Sequence, residues 1–112
     1  MNTDIKHEDS ITIVAVNGSV DALTAPDLAH VIVDEIAEGH VDLVIDLTAV
    51  DFMSSAGLRT LLGALKESRG QGGDLRIVST NPGIDKVLKI SGFNSIAKVF
   101  TSNADAVASF QM

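Results

Sequence analysis

The chain contains no cysteine, no tryptophan and no tyrosine, and only two prolines among its 112 residues. Without cysteine there is no disulfide framework and no thiolate metal site, and the composition fits a reducing, cytoplasmic setting. Positive charge is scarce: 8 Lys and Arg stand against 15 Asp and Glu, a formal net charge of −7. Nucleic-acid phosphates and anionic lipid surfaces would both be repelled, so neither nucleic acid nor membrane is expected as a partner. No apolar run approaches the roughly 20 residues of a membrane span. The polar stretch from Met1 to Asp9 lacks the apolar core of a signal peptide. What the chain does have is aliphatic residues: 46% of it is apolar and only 4% aromatic. At this length that supports one domain, residues 1–112, around a single core.

Two periodicities alternate along the chain. Ser10 to Asn17 (SITIVAVN) is rich in β-branched residues and predicts a strand ended by Gly18. A short strand around Asp4–Glu8 precedes it across a turn at Asp9-Ser10. Thr24-Ala-Pro-Asp27 reads as a helix start, with Thr24 as cap, Pro26 in the first turn and Asp27 placed for a capping box. Leu28, Ile32 and Ile36 then recur at helical spacing until Gly39.

Val41 to Leu47 is apolar on both faces except at Asp42 and Asp46, the pattern of a central strand. A second helix runs from about Ser55 to Arg69, with Leu58, Leu61, Leu62 and Leu65 at helical spacing. Leu75–Val78 is a further strand. Asn81-Pro82 opens a third helix with Ile84, Val87 and Leu88 facing in, closed by Gly92. Ala97–Phe100 is a last strand, and Ser102-x-x-Asp105 caps a final helix carrying Val107 and Phe110. Strands alternating with helices predict an α/β fold: a single open, mostly parallel sheet of four to five strands with about four helices. In such sheets function gathers beyond the carboxyl ends of the strands. Gly18–Thr24, Asp46–Ser55 and Ser79–Pro82 are the segments expected there.

Several kinds of chemistry find little support. Gly70-Gln-Gly-Gly73 leads from a helix into a strand, the reverse of a phosphate-binding loop, and reads as a helix end and turn. His7, His30 and His40 show no ligand spacing with one another, so no metal site is expected. Ser54-Ser55-Ala56-Gly57 is only loosely like a nucleophile elbow. Phe52 and Met53 stand where that motif needs glycine, and no histidine follows Ser55. The two serines keep two readings. A serine at a helix start is first of all a cap, contributing about 1 kcal/mol. A serine exposed there is also a place where phosphate would meet free N–H groups and a favourable dipole.

The segment VDLVIDLTAVDFMSSAGLRTLLGAL closely resembles the centre of STAS-domain proteins, specifically bacterial anti-sigma factor antagonists. VNGSVDALTAPDL resembles that family's strand, Gly-x-Val-Asp loop and first helix. GGDLRIVSTNPGIDKVLKISGFNSIAKVF resembles its fourth strand, Pro-led helix and Ser-Gly-Phe turn, so the resemblance covers nearly the whole chain. It implies a STAS-like fold and a protein that acts by binding, not as an enzyme, with no cofactor of its own. In the family a serine at the start of the second helix is phosphorylated by a serine kinase that is itself the anti-sigma factor. The matching residue is Ser55, with Ser54 as the alternative. The family often places Asp before the phosphorylated serine and Ser or Thr after it; here those places hold Ser54 and Ala56.

The resemblance further implies a switch. The unphosphorylated protein occupies the anti-sigma kinase and frees a sigma factor, the phosphorylated protein lets go, and a serine/threonine phosphatase resets it. Asp21, Asp46, Ser54, Ser55, Leu58 and Arg59 are the residues expected at the docking edge, with Leu58 also a core candidate. The alternative is a STAS domain serving as a fixed subunit of a transporter or stress-signalling assembly, without phosphate turnover.

Overall fold

The runs of β-branched residues become strands of one sheet. They are β1 (Asn2–Glu8), β2 (Ile11–Val20), β3 (Asp42–Met53), β4 (Asp74–Val78) and β5 (Lys98–Phe100). They are joined by helices α1 (Ala25–Ala37), α2 (Ser55–Gly70) and α3 (Pro82–Ile90), and α4 (Asn103–Ser109) follows the last strand. The computed structural model of the protein describes residues 1–111. The strands lie side by side in chain order; β1 pairs antiparallel with β2 and every other pair is parallel. This is the open, mostly parallel α/β sheet with four helices that the sequence predicts.

The strand order decides where the helices go. A parallel sheet that grows in one direction through right-handed crossovers collects its connecting helices on one face. Leu28, Ile32 and Ile36 of α1, Leu61, Ala64 and Leu65 of α2, and Ile84 and Leu88 of α3 accordingly share one core with Val14, Leu43, Ile45, Leu47, Leu75 and Ile77 of the strands. Helix α4 connects to no later strand and is free of that constraint. It covers the opposite face, where Ala106 packs with Ile11, Ile13, Val44 and Val78, flanked by Val107 and Phe110. Strands buried on both faces read as continuous apolar runs, which is why β3 and β4 look as they do. Arg76, although almost fully buried beneath α4, is satisfied: it donates to Asp74 Oδ2 at 2.6 Å and Ser109 Oγ at 2.9 Å, and lies 4.2 Å from the centroid of the Phe110 ring.

Two strands run further than their apolar patterns suggest. Gly18 does not end β2; at φ +96 it sits within a strand that continues to Val20. The segment from Asp46 onward is not a loop either, because β3 continues to Met53. Register breaks between Ala15 and Asn17 and between Gly18 and Ser19 place extra residues in β3, and β4 last pairs with it at Asp46–Val78. Beyond that point β1 still pairs with β2 as far as Asn2–Asn17, and from Gly18 onward β2 and β3 continue as a two-stranded ribbon. Thr48, Ala49, Asp51 and Phe52 are exposed there, so the alternation that marks a half-buried strand is weak.

The helix ends follow local chemistry. Asn81 Oδ1 accepts the Gly83 N–H at 2.8 Å, and Ser102 Oγ accepts that of Asp105 at 3.1 Å, as their positions predict. Thr24 departs from expectation. Its hydroxyl makes no cap bond and instead donates to the Ser19 carbonyl at 2.9 Å. The Gly70–Gly73 segment is a helix end: Gly72 (φ +89) donates to the Arg69 carbonyl and Gly73 to that of Ser68 at 2.8 Å. A side chain at Gly73 would collide with the Val41 carbonyl.

Candidate functional site

The tip of the β2–β3 ribbon is where α2 begins. The Ser54 N–H donates to the Val20 carbonyl at 2.8 Å, adding one more rung after the Val20–Met53 pair. Ser54 is still extended (φ −85, ψ 172), and the next residue is helical. Ser54 Oγ accepts the Gly57 N–H at 3.3 Å, and its carbonyl accepts the Leu58 N–H at 3.0 Å. Ser54 is therefore the cap. Ser55 is the first residue of α2, exposed, and its hydroxyl makes no hydrogen bond among the described residues. The first-turn N–H groups of Ser55 and Ala56 have no helix carbonyl to bond, which leaves a donor-rich surface beside that free hydroxyl.

Gly57 fixes how closely this turn approaches the sheet. A Cβ there would collide with Met53 Sδ and come to 2.8 Å from Val20 Cγ1. Met53 and Val20 are both buried, so neither neighbour has solvent to retreat into.

Asp21 lies next to this turn through the Val20–Ser54 bond. Its Oδ1 accepts the Leu23 and Thr24 N–H groups at 2.9 and 3.0 Å, and its carbonyl accepts that of Ala25 at 2.8 Å. The Thr24 N–H, then the Leu23 N–H, hold its carboxyl below the ordinary aspartate range against a small opposing effect of desolvation. Asp21 thus does the work predicted for Thr24 and Asp27 in starting α1. Arg59 is exposed on α2 one turn beyond Ser55, and Leu58 is half-buried against the core.

Asp46 is not brought to this place. It stands back along β3, between Ala15 and Val78, on the face that α4 covers. Its carboxylate accepts from Thr48 N–H (2.9 Å), Thr48 Oγ1 (2.7 Å) and Asn103 Nδ2 (3.0 Å). At 3.2–3.4 Å per residue the ribbon separates it from the tip by roughly 20 Å. The misplacement follows from reading Asp46–Ser55 as a loop when it is strand.

Two residues that the sequence reading did not assign to the site are conspicuous. Leu23 is 88% exposed in the Asp21–Thr24 loop, and Phe52 is 53% exposed on the ribbon just before the serines. Large apolar groups exposed beside a polar turn are the composition of a binding surface. Their apolar character was visible in the sequence; that they face solvent was not. A separate shallow hollow between the starts of α1 and α2 is lined by Ala22, Pro26, Ala56, Arg59 and Thr60. The histidines lie on other elements. His30 is exposed on α1, whereas His7 and His40 meet at 4.4 Å between ring centroids, a pairing their sequence spacing does not predict. The arrangement presents a free hydroxyl beside an apolar–polar surface.

No helix among the described residues is long and apolar enough to cross a membrane. The family model of the STAS domain matches residues 2–106. The chain is 34% identical to BtrV of Bordetella bronchiseptica, named as an anti-sigma factor antagonist, over 92% of this chain and 89% of that protein. It is 29% identical to the anti-sigma-B factor antagonist of Bacillus subtilis, over 96% and 97%. Among solved structures, an anti-sigma factor antagonist from Mycobacterium paratuberculosis superposes with a TM-score of 0.92 at 27% identity, covering 99% of this chain and 94% of that one.

Proposed function

The chain belongs to the STAS-domain family of anti-sigma factor antagonists, and from that premise we propose that it is a cytoplasmic phospho-switch whose acceptor is Ser55. Unphosphorylated, it binds an anti-sigma factor that is also a serine kinase, and a sigma factor is released. The kinase transfers the γ-phosphoryl group of ATP to Ser55 Oγ, ADP leaves, and the complex separates. A serine/threonine phosphatase returns the serine by hydrolysis. The domain itself acts by binding and catalyses nothing.

The observation that carries this reading is the division of labour between the two serines. Ser54 Oγ is engaged with the Gly57 N–H, while the Ser55 hydroxyl is exposed and unbonded at the first position of α2. A kinase can reach the second without dismantling a helix cap. Leu23, Phe52 and Arg59 are exposed in the loop, ribbon end and helix turn that flank it in the chain fold, and they supply the apolar and charged groups a docking partner requires.

The test is incubation with a cognate anti-sigma serine kinase and ATP, with phosphopeptide mass spectrometry and a pull-down. Phosphate on Ser55, with loss of the kinase from the complex, is expected. Phosphate confined to Ser54 defeats the assignment. A complex that persists with Ser55 phosphorylated defeats the switch and leaves the fixed-subunit reading.

A further inference from the structure

We propose that His7, Glu35 and His40 form a binding site for one divalent transition-metal ion, with zinc as the reference ion, at the sheet edge opposite the serines. His7 is on β1, Glu35 in the last turns of α1, and His40 in the turn from α1 to β3. His7 Nε2 is 2.8 Å and His40 Nδ1 3.4 Å from Glu35 Oε1, and the three potential ligand atoms all lie within 4.8 Å of one another. Zinc at 2.0–2.2 Å from nitrogen and oxygen donors in tetrahedral geometry sets those donors roughly 3.3–3.5 Å apart. The His40–Glu35 pair already has that separation. The His7–Glu35 pair must open by about half an ångström, a small rotation for an exposed imidazole on an edge strand.

The backbone builds the pair that matters most. Gly39, at φ +91, donates to the Ile36 carbonyl at 3.0 Å, and His40 donates to the Glu35 carbonyl at 2.9 Å. These two bonds are the glycine-dependent ending in which the second residue past the cap returns to the last turn. The residues that carry two of the ligands are therefore joined by a backbone hydrogen bond, independent of any ion.

Two features call for a cation. Glu35 is only 7% exposed, and among the described residues no Lys or Arg pairs with it; its ionic neighbours are the two imidazoles. A buried carboxylate is costly unless compensated. His40 Nδ1 is shielded from solvent and has no hydrogen-bond partner among the described residues. A metal ion would satisfy both at once. Two imidazoles and one carboxylate suit zinc and its first-row neighbours, whereas calcium and magnesium prefer oxygen alone. Water, or the exposed Glu38 carboxylate 3.9 Å from His40 Nδ1, completes the coordination. The ion would join β1, an edge strand exposed along most of its length, to α1.

The test uses untagged protein stripped with a chelator and titrated with zinc chloride by calorimetry, and with cobalt(II) as a spectroscopic probe. One ion per chain is expected, with the visible absorption of a four-coordinate cobalt site. His7→Gln and His40→Gln should each weaken binding at least about tenfold, the scale of losing even an outer-shell partner. His30→Gln should leave it unchanged. Thermal unfolding should shift upward with zinc in the parent protein and not in the His7→Gln/His40→Gln double variant. Absence of one-to-one binding in the parent protein overturns the proposal, whatever the variants do. So does binding that survives both substitutions or is lost with His30.

Discussion

Ser54 Oγ accepts the Gly57 N–H at 3.3 Å, and this single bond separates two serines that the sequence presents as equals. Their substitutions should part in the same way. Ser54→Ala removes a helix cap and should destabilise the domain by about 0.5–2 kcal/mol while leaving it a kinase substrate. Ser55→Ala removes an exposed, unbonded hydroxyl and should change stability by less than about 0.5 kcal/mol while abolishing phosphate incorporation. Urea unfolding and a radiolabelled phosphate assay on both variants check the pair. Equal stability losses would mean that Ser54 is not the cap.

Gly57→Ala tests how tightly the start of α2 sits on the ribbon. The added methyl group meets Met53 Sδ and Val20 Cγ1, both on buried side chains. Overpacking of this kind costs about 1–3 kcal/mol and displaces the turn that carries Ser55. We expect both lower stability and slower phosphorylation. By contrast Gly63→Ala, where nothing lies within 4 Å of the new Cβ, should be neutral or stabilising by up to about 1 kcal/mol through helix propensity.

The face of α2 is testable by truncation. Leu61 is fully buried, whereas Leu62, which shares the leucine spacing, is only partly buried against the same core. Leu61→Ala should cost about 2–5 kcal/mol in urea unfolding, and Leu62→Ala clearly less. Reversal of that order would put the helix on the wrong rotation.

Most of the fold was legible because its signals are local and redundant. The apolar runs of β3 and β4, the Asn81 and Ser102 caps and the glycines ending the helices each act within a few residues, and the structure retains them. The far end of the β2–β3 pair was not legible, since Thr48, Ala49 and Asp51 are exposed where β3 has run past β4, and the alternation that reports burial is lost. Asp46 was misplaced for the same reason. The Ser54–Ser55 turn was placed at a helix start by pattern alone, but which serine caps depends on one hydrogen bond. The His7–His40 meeting depends on antiparallel pairing of β1 and on the Gly39 turn together, and long-range adjacency of that kind has no signature in sequence spacing.

The acid limb of stability should contain a contribution from Asp74. Burial opposes its ionisation, but hydrogen bonds from the Leu75 N–H, Arg76 and Arg69 outweigh it and hold the carboxyl below the ordinary aspartate range. A carboxyl with a lower folded than unfolded pKa stabilises the fold above the unfolded value. The contribution is lost as pH falls from about 4 through the folded value. Asp74→Ala also leaves Arg76 without its 2.6 Å partner and should cost about 1.5–3 kcal/mol at neutral pH. The difference between parent and variant should shrink as the pH of urea titrations is lowered below 4. A difference constant from pH 7 to pH 3 would show that the Asp74 charge is not what matters.

Phosphorylation at Ser55 should act on the interface and leave the fold intact. A phosphate brings about −1.5 to −2 charges at neutral pH. On the first residue of α2 that charge meets the unbonded N–H groups of the first turn and the favourable end of the dipole, a gain of about 0.3–1 kcal/mol. Arg59, exposed one turn further along the same helix, adds about 0.2–0.5 kcal/mol if its guanidinium reaches the phosphate. The acids toward this edge are Asp21 and the exposed Asp51, which accepts from Ser19 Oγ; Asp46 stands further back along β3, where Asn103 donates to it. The phosphorylated domain should therefore unfold at an equal or slightly higher temperature than the unmodified one, and Arg59→Ala should reduce that increment. Partner binding should nevertheless fall at least about tenfold, because Leu23 and Phe52 would have to be desolvated near a dianion whose charge a single exposed Arg59 offsets only in part. Ser55→Asp, with one carboxylate, should weaken binding less than phosphate does. Thermal unfolding of both forms, alongside binding to the kinase by calorimetry, separates the two effects. A phosphorylated domain that melts several degrees lower would place the switch in the fold and not at the interface.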